Sequence, residues 1–471
     1  MEKTREYLNE PMVGIIAPAG YGKTEEITKA VKFCSEKQLI LTHTRAGVTV
    51  LEDRMRKKQI SNDKFEIDTI ASFCMKWCKA YPATANVYIP DKINEIDYLS
   101  IYKGTKELLS NSWAKVVLKQ TYSGIFVDEY QDCTESQHAI FMKLENVLPI
   151  RVFGDPLQGI FYWVKEDKIV NWKNFTFKVI SPLTVPRRWE KTNAELGLLL
   201  DNLRKKIITV LNGNDVTINI SNVTNCMTIL NSTEWNNGRF VYKIKNYEKI
   251  VYLSAFINKQ KLFSKRNGGF FQYDEVKDLA EAEAIIAKIE AEKNERKALV
   301  LIESLKSMIN SIQSELAAYI KNLEKGKSDF RKINKHKDLG RLIEIVCKDN
   351  TSKSVLDVLR WFENNKKFNI YRKELLFRIG KIYTYMVEES ASLKETVEIL
   401  SNQQYFTENR FSFSRLSSRT VLTKGLEFDC VIIDARDKMD VRDFYVAMTR
   451  AKKYIYIISD ERKMFFKGIK Y

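Results

Sequence analysis

Short apolar runs punctuate the first 180 residues: MVGIIA at 12–17, KQLILT at 37–42, GIFVDE at 124–129 and IRVFGD at 150–155. Each is rich in β-formers, ends in a polar or glycine-containing turn and is followed by an amphipathic stretch. That alternation predicts a parallel sheet buried on both faces, with its reactive loops at the strands' C-terminal ends. Between about 76 and 120 the pattern turns helical and aromatic, as an insertion would. A second α/β block starts near Ser181 and shows IVYLSAF at 250–256. From 274 to 395 nearly everything is helical in period, with neither proline nor glycine until Gly326. The apolar spacing drifts and holds no heptad register, which disfavours a coiled coil. Strand signals return at RTVLTKGLEFDCVIIDA (419–435) and KKYIYIISD (452–460). The expected organisation is an α/β lobe over 1–180 with a short helical insertion at about 76–120. A second lobe is expected over 181–273 and 396–471, split by a helical insertion at 274–395.

Composition narrows this picture. The chain has 471 residues, 44% hydrophobic and 29% charged, which fits a globular protein of several domains. No apolar stretch approaches the roughly 18 residues of a membrane span, and the charged N-terminus MEKTREYLNEP lacks the apolar core of a signal peptide. A cytoplasmic location with no membrane partner is the expectation. Seven scattered cysteines, with Cys74 and Cys78 four apart and no second pair to complete a zinc site, read as reduced core thiols. Lys+Arg 77 against Asp+Glu 60 leaves a net charge of +17, which favours a polyanionic partner.

The most specific chemistry follows the first strand. Ala17, Pro18, Ala19, Gly20, Tyr21, Gly22, Lys23 and Thr24 fit a P-loop with alanine in place of its first glycine, leading into a helical pattern. Such a loop wraps backbone N–H groups around phosphate at a helix N-terminus. Lys23 is placed to reach the β- and γ-phosphates of ATP and Thr24 to ligate Mg²⁺. The carboxylates this chemistry needs follow another apolar strand: Asp128 for the metal and Glu129 to orient or deprotonate the attacking water.

Together with the blocks that follow, these residues resemble the superfamily 1 helicases of the UvrD/PcrA/Rep group. APAGYGKT resembles motif I, LILTHTRAGV motif Ia, IDTIASFC motif Ib, VDEYQD motif II and FGDPLQGIFYW motif III. PLTVPRRW is a weaker likeness of motif IV; LTKGLEFDCVII is similar to motif V and FYVAMTRAKK to motif VI. The likeness covers roughly 10–190 and 415–460. It implies an α/β fold of two RecA-like P-loop lobes with helical insertions, and ATP-driven movement on single-stranded DNA in the 3′→5′ sense, RNA not being excluded. It also implies that Gln158 senses the γ-phosphate, that Arg188 and Arg450 face the developing phosphoryl charge, and that Glu427 meets the ribose. Thr42, His43 and Trp163 fall where the family meets its DNA strand, Trp163 as a stacking platform.

The chain departs from the pattern in places. Leu8-Asn9-Glu10 stands where the adenine-reading glutamine belongs, and Arg187 replaces the tyrosine that packs on adenine. His43 replaces a phenylalanine, Val421 a histidine and Val164 an arginine. The short first-lobe insertion leaves a second reading open, a DNA-stimulated regulatory or sensing ATPase. In size and layout the chain also resembles helicase subunits of Gabija-type antiphage systems, which work with a separate nuclease.

Overall fold

The computed structural model describes residues 2–90, 96–161, 166–175, 177–220, 224–231, 233–235, 238–274, 279–407, 414–437 and 439–469. Its strands in chain order are β1 Met12–Ile16, β2 Gln38–Thr42, β3 Phe65–Thr69, β4 Gly124–Val127, β5 Ile150–Gly154, β6 Lys178–Ile180 and β7 Val216–Asn219. They continue with β8 Met227–Leu230, β9 Ile250–Leu253, β10 Gln272–Tyr273, β11 Arg415–Ser418, β12 Phe428–Asp434, β13 Ala451–Ile458 and β14 Lys463–Phe466. The chain divides into two compact units, Met1–Trp235 with Thr420–Tyr471, and Asn236–Arg419.

In the first unit β1 to β6 form a parallel sheet in the order β3-β2-β4-β5-β1-β6. The apolar runs become its centre because a strand covered on both faces needs apolar side chains on both. β2, β4 and β5 are buried along their whole length. Their side chains alternate between two cores: Leu39, Leu41, Ile125, Val127, Ile150 and Val152 enter one, Ile40, Phe126 and Phe153 the other. Helices Ile70–Ala80, Pro82–Ala85, Tyr98–Leu108 and Ser112–Thr121 lie between β3 and β4 in the chain and cover the first core. The same unit carries parallel strands β12, β13 and β8, with all seven residues of β12 buried, and an antiparallel pair β7–β14.

In the second unit β10, β11 and β9 run parallel. Helices from Ala280–Glu290 through Leu393–Thr407 bury one continuous core, running from Leu279 to Leu400. The architecture is α/β, with parallel strands in both units. Among the described residues no helix is long and apolar enough to cross a membrane.

All seven cysteines are free, and only Cys34 is less than fully buried. Cys74 and Cys78 pack in the helical insertion, where the Cys78 thiol lies 3.4 Å from the Thr105 hydroxyl. Burial pushes the Cys74 thiol up to about 12, so it is no reactive thiolate at neutral pH. A thiol reagent should therefore label no more than one cysteine rapidly in the native protein and all seven after denaturation. Fast labelling of several native thiols would contradict this packing.

Candidate active site

The site forms where β1, β4 and β5 end side by side. Residues Ala17 to Thr24 leave β1 and enter helix Lys23–Phe33. Gly20 and Gly22 take left-handed backbone (φ 75° and 90°), and at Gly20 a Cβ would also strike the Trp189 ring at 2.6 Å. Lys23 is 7% exposed and donates to the carbonyls of Ala17 (2.9 Å) and Pro18 (3.3 Å). Burial lowers its pKa while Glu129, Asp155 and Asp128 oppose that shift. The Thr24 hydroxyl donates to Asp128 Oδ2 at 3.0 Å.

Asp128 is buried at the end of β4, and burial and the neighbouring Glu129 push it up to about 6. Glu129 is half-buried and takes left-handed backbone (φ 57°), which costs a non-glycine residue about 1–3 kcal/mol. Burial would raise its carboxyl, but Lys424, Lys23 and a hydrogen bond donated by Gln131 Nε2 outweigh it and hold the group below the usual range. The same Gln131 accepts the Asp155 backbone N–H at 2.9 Å, tying the end of β4 to that of β5.

The C-terminal segment supplies the cations. Lys424 pairs with Asp132, lies 3.9 Å from Glu129 and donates to the Gln158 carbonyl at 2.6 Å. Arg450 immediately precedes β13. It is 3% exposed, donates to Val446 O at 3.1 Å and lies 3.3 Å from Gln158 Oε1. Burial, with Arg188 nearby, pulls its pKa down to about 10. Arg188 donates to Thr449 O and pairs with Glu427 at 2.8 Å, while its backbone N–H donates to Gly20 O at 3.0 Å. Arg187 pairs with Glu190 at 3.2 Å, and its Cγ lies 3.8 Å from the place a Cβ would occupy on Gly22.

Sequence reasoning named Lys23, Thr24, Asp128, Glu129, Gln158, Arg187, Arg188, Glu427 and Arg450, and the structure gathers them around the P-loop. Lys23 follows β1 and Arg450 precedes β13, and both belong to the first compact unit. Thr42 ends β2 and His43 follows it. Thr42 is 2% exposed, with Gly47 packed against it, and His43 bonds the Cys133 thiol at 3.4 Å; burial keeps its imidazole neutral. Trp163 lies outside the described residues.

Several charged or polar residues escaped the sequence reading. Asp155 is fully buried and accepts from Arg204 Nη1 at 2.7 Å, from Gln158 Nε2 at 2.9 Å and from the Tyr445 hydroxyl at 3.3 Å. Asp132 and Lys424 form the buried pair already described. A signal existed for Asp155, Asp132 and Lys424, which lie inside FGDPLQ, VDEYQD and LTKGLEFD. Arg204 sits in LRKK and carries none.

Residues 2–162 match an AAA domain family and residues 422–458 a UvrD-like helicase C-terminal domain family. The Gabija protein GajB of Bacillus cereus (strain VD045) is 22% identical over 367 residues, 74% of this chain, and the chain spans 66% of that relative's length. Among solved structures, an Arterivirus nonstructural protein 10 (helicase) with DNA aligns with 97% of this chain and 62% of its own, at 8% identity and a TM-score of 0.34. Pif1 of Bacteroides sp in complex with ADP-AlF4 aligns over 56% and 55% at 16% identity and a TM-score of 0.29. At those scores the two structures add nothing to the assignment.

Asp132 offers a test of the site's electrostatics. Burial pushes its carboxyl up to about 7, with Lys424 opposing and Glu129 adding to the shift. The unfolded carboxyl titrates near about 4, so the folded nucleotide-free protein binds the extra proton between those values. Stability from this group is complete below the unfolded value and is lost as pH rises through about 7. Asp132→Asn should flatten the fall in urea midpoint between pH 5 and 7.5. A variant with the wild-type slope would show that Asp132 does not titrate there.

Proposed function

We propose that the chain is an ATP-driven translocase on single-stranded DNA, moving 3′→5′, a reading supported by its matches to an AAA domain family and a UvrD-like helicase C-terminal domain family. The observation that carries this reading is the contact of Arg450 with Gln158. A cation from the C-terminal segment meets an amide from the loop after β5, and this contact supports a γ-phosphate sensor at Gln158 that works together with Arg450.

In this reading Lys23 exchanges the carbonyls of Ala17 and Pro18 for phosphate oxygens, and the residues Ala17 to Gly22 offer backbone N–H donors. Thr24 and Asp128 fit Mg²⁺: a hydroxyl beside a buried carboxylate whose raised pKa marks a deficit of positive charge. Mg²⁺ held there would screen the β- and γ-phosphate oxygens. Glu129, kept ionised by Lys424 and Lys23, accepts the proton of the attacking water. Arg188 and Arg450 meet the charge that develops on the transferred phosphoryl group. Glu427 turns from Arg188 to the ribose, and Arg187 lies against the nucleotide. Trp163 stacks on a base, and the ends of β2 at Thr42 and His43 flank the strand's path.

A second reading is a DNA-stimulated regulatory ATPase working with a separate nuclease in the cytoplasm. The likeness to the Gabija protein GajB and the short helical insertion between β3 and β4 favour it.

ATP hydrolysis measured against single-stranded DNA, duplex DNA and RNA tests the proposal, and strand displacement separates its two readings. Single-stranded DNA should stimulate hydrolysis most; equal rates with and without nucleic acid would contradict a motor. Lys23→Ala should lose ATP binding and hydrolysis together. Glu129→Gln should bind ATP with affinity close to that of wild type and hydrolyse it orders of magnitude more slowly. Weak ATP binding by a folded Glu129→Gln protein would remove Glu129 from its role.

A further inference from the structure

Helix Ala194–Ile207 belongs to none of the motifs, yet it touches the ATP site twice. Asp201 accepts from the Tyr21 hydroxyl of the P-loop at 2.8 Å. One turn later Arg204 pairs with Asp155 at 2.7 Å, with side-chain exposures of 8% and 0%, and donates to the Tyr445 hydroxyl at 3.3 Å. Positions three apart share a helix face, so one face contacts both the phosphate loop and the loop that carries Gln158.

We propose that Arg204 is a positioning residue for ATP hydrolysis: through Asp155 it fixes the orientation of the Gln158 amide, and so the meeting of Gln158 with Arg450. The proposal rests on the ATPase reading above. Gln158 donates its Nε2 to Asp155 Oδ2 at 2.9 Å, which leaves Oε1 facing Arg450 Nη2 at 3.3 Å. That orientation is held by the Asp155 oxygen that accepts the amide. An ionised carboxylate so deeply buried needs a cation, and Arg204 is the one paired with it. Without Arg204 the Asp155 carboxylate loses the cation that holds it in place, and the amide it orients is free to turn over. The NH₂ group then faces Arg450, donor against donor, and the γ-phosphate contact is lost. Tyr445 lies in the helix that leads to Arg450 and bonds the same Asp155 oxygen as Gln158 does, so it strengthens the orientation without supplying charge.

The signature is a split between binding and turnover, because Lys23, Thr24 and Asp128 are untouched. Arg204→Met should leave ATP affinity within a few-fold of wild type and lower kcat by about 100-fold, the scale of an ångström of misplacement. Arg204→Lys, which keeps the charge, should recover part of that loss. Since Arg204→Met strands a buried carboxylate, the double variant Asp155→Asn/Arg204→Met removes both charges. It should melt close to wild type and still show the low kcat with intact ATP binding. A double variant with wild-type kcat would overturn the proposal. So would ATP affinity, kcat and melting temperature falling in step in all three variants, which marks a purely structural residue. A wild-type enzyme that hydrolyses ATP without stimulation by single strands would refute the motor reading alone, and the split between kcat and affinity would still decide the role of Arg204.

Discussion

Buried carboxylates without enough cations of their own are the constraint on which this structure depends. Asp128, Asp132 and Asp155 follow adjacent strands of one parallel sheet and are buried, with Glu129 half-buried beside them. An ionised carboxylate in such a place is costly unless a cation or several donors meet it. The first 180 residues supply Lys23. The other cations come from later in the chain: Arg204 to Asp155, Lys424 to Asp132 and Glu129, and Arg450 to Gln158 beside them. The buried negative charge draws the C-terminal segment onto the sheet.

In the proposed cycle, the same balance lets the site change state. Arg188 is held by Thr449 O and Glu427, Lys23 by two loop carbonyls, and Glu129 sits on strained backbone. On the proposed reading, Lys23, Arg188 and Glu427 exchange these contacts for phosphate or ribose oxygens. The deeper pair Arg204–Asp155 is buried and, on the proposed reading, stays fixed while the exchangeable contacts move. A buried pair of this kind is weak evidence for stability, but breaking one partner is expensive, about 3–5 kcal/mol. That asymmetry suits a part whose geometry must not drift.

Much of this was legible in the residues themselves. β1, β2, β4 and β5 announced themselves as apolar runs because both faces of a central parallel strand are covered. The phosphate loop and the Asp128–Glu129 pair were readable because their chemistry is local, carried by a few consecutive residues. β6, β7 and β14 gave little signal, since they are short and partly exposed. Arg204 was hidden for a different reason. In a helix whose last turn reads LRKK, a buried arginine is indistinguishable from its solvated neighbours, and its partner Asp155 is 49 positions away. Pairings such as Lys424 with Asp132 and Arg450 with Gln158, each 292 positions apart, exist only in the folded chain. The family resemblance supplied Arg450 and Gln158 as individuals; the structure supplied their contact.

The central claim is that a cation from the C-terminal lobe completes an ATP site built on the N-terminal sheet. The most direct test is the hydrolysis rate of Arg450→Ala at saturating ATP with single-stranded DNA, measured beside its affinity for ATP. The account predicts nearly unchanged affinity and a rate lower by about a thousandfold or more, the scale of an arginine that meets transferred phosphoryl charge. A folded Arg450→Ala protein that hydrolyses ATP at the wild-type rate would contradict it.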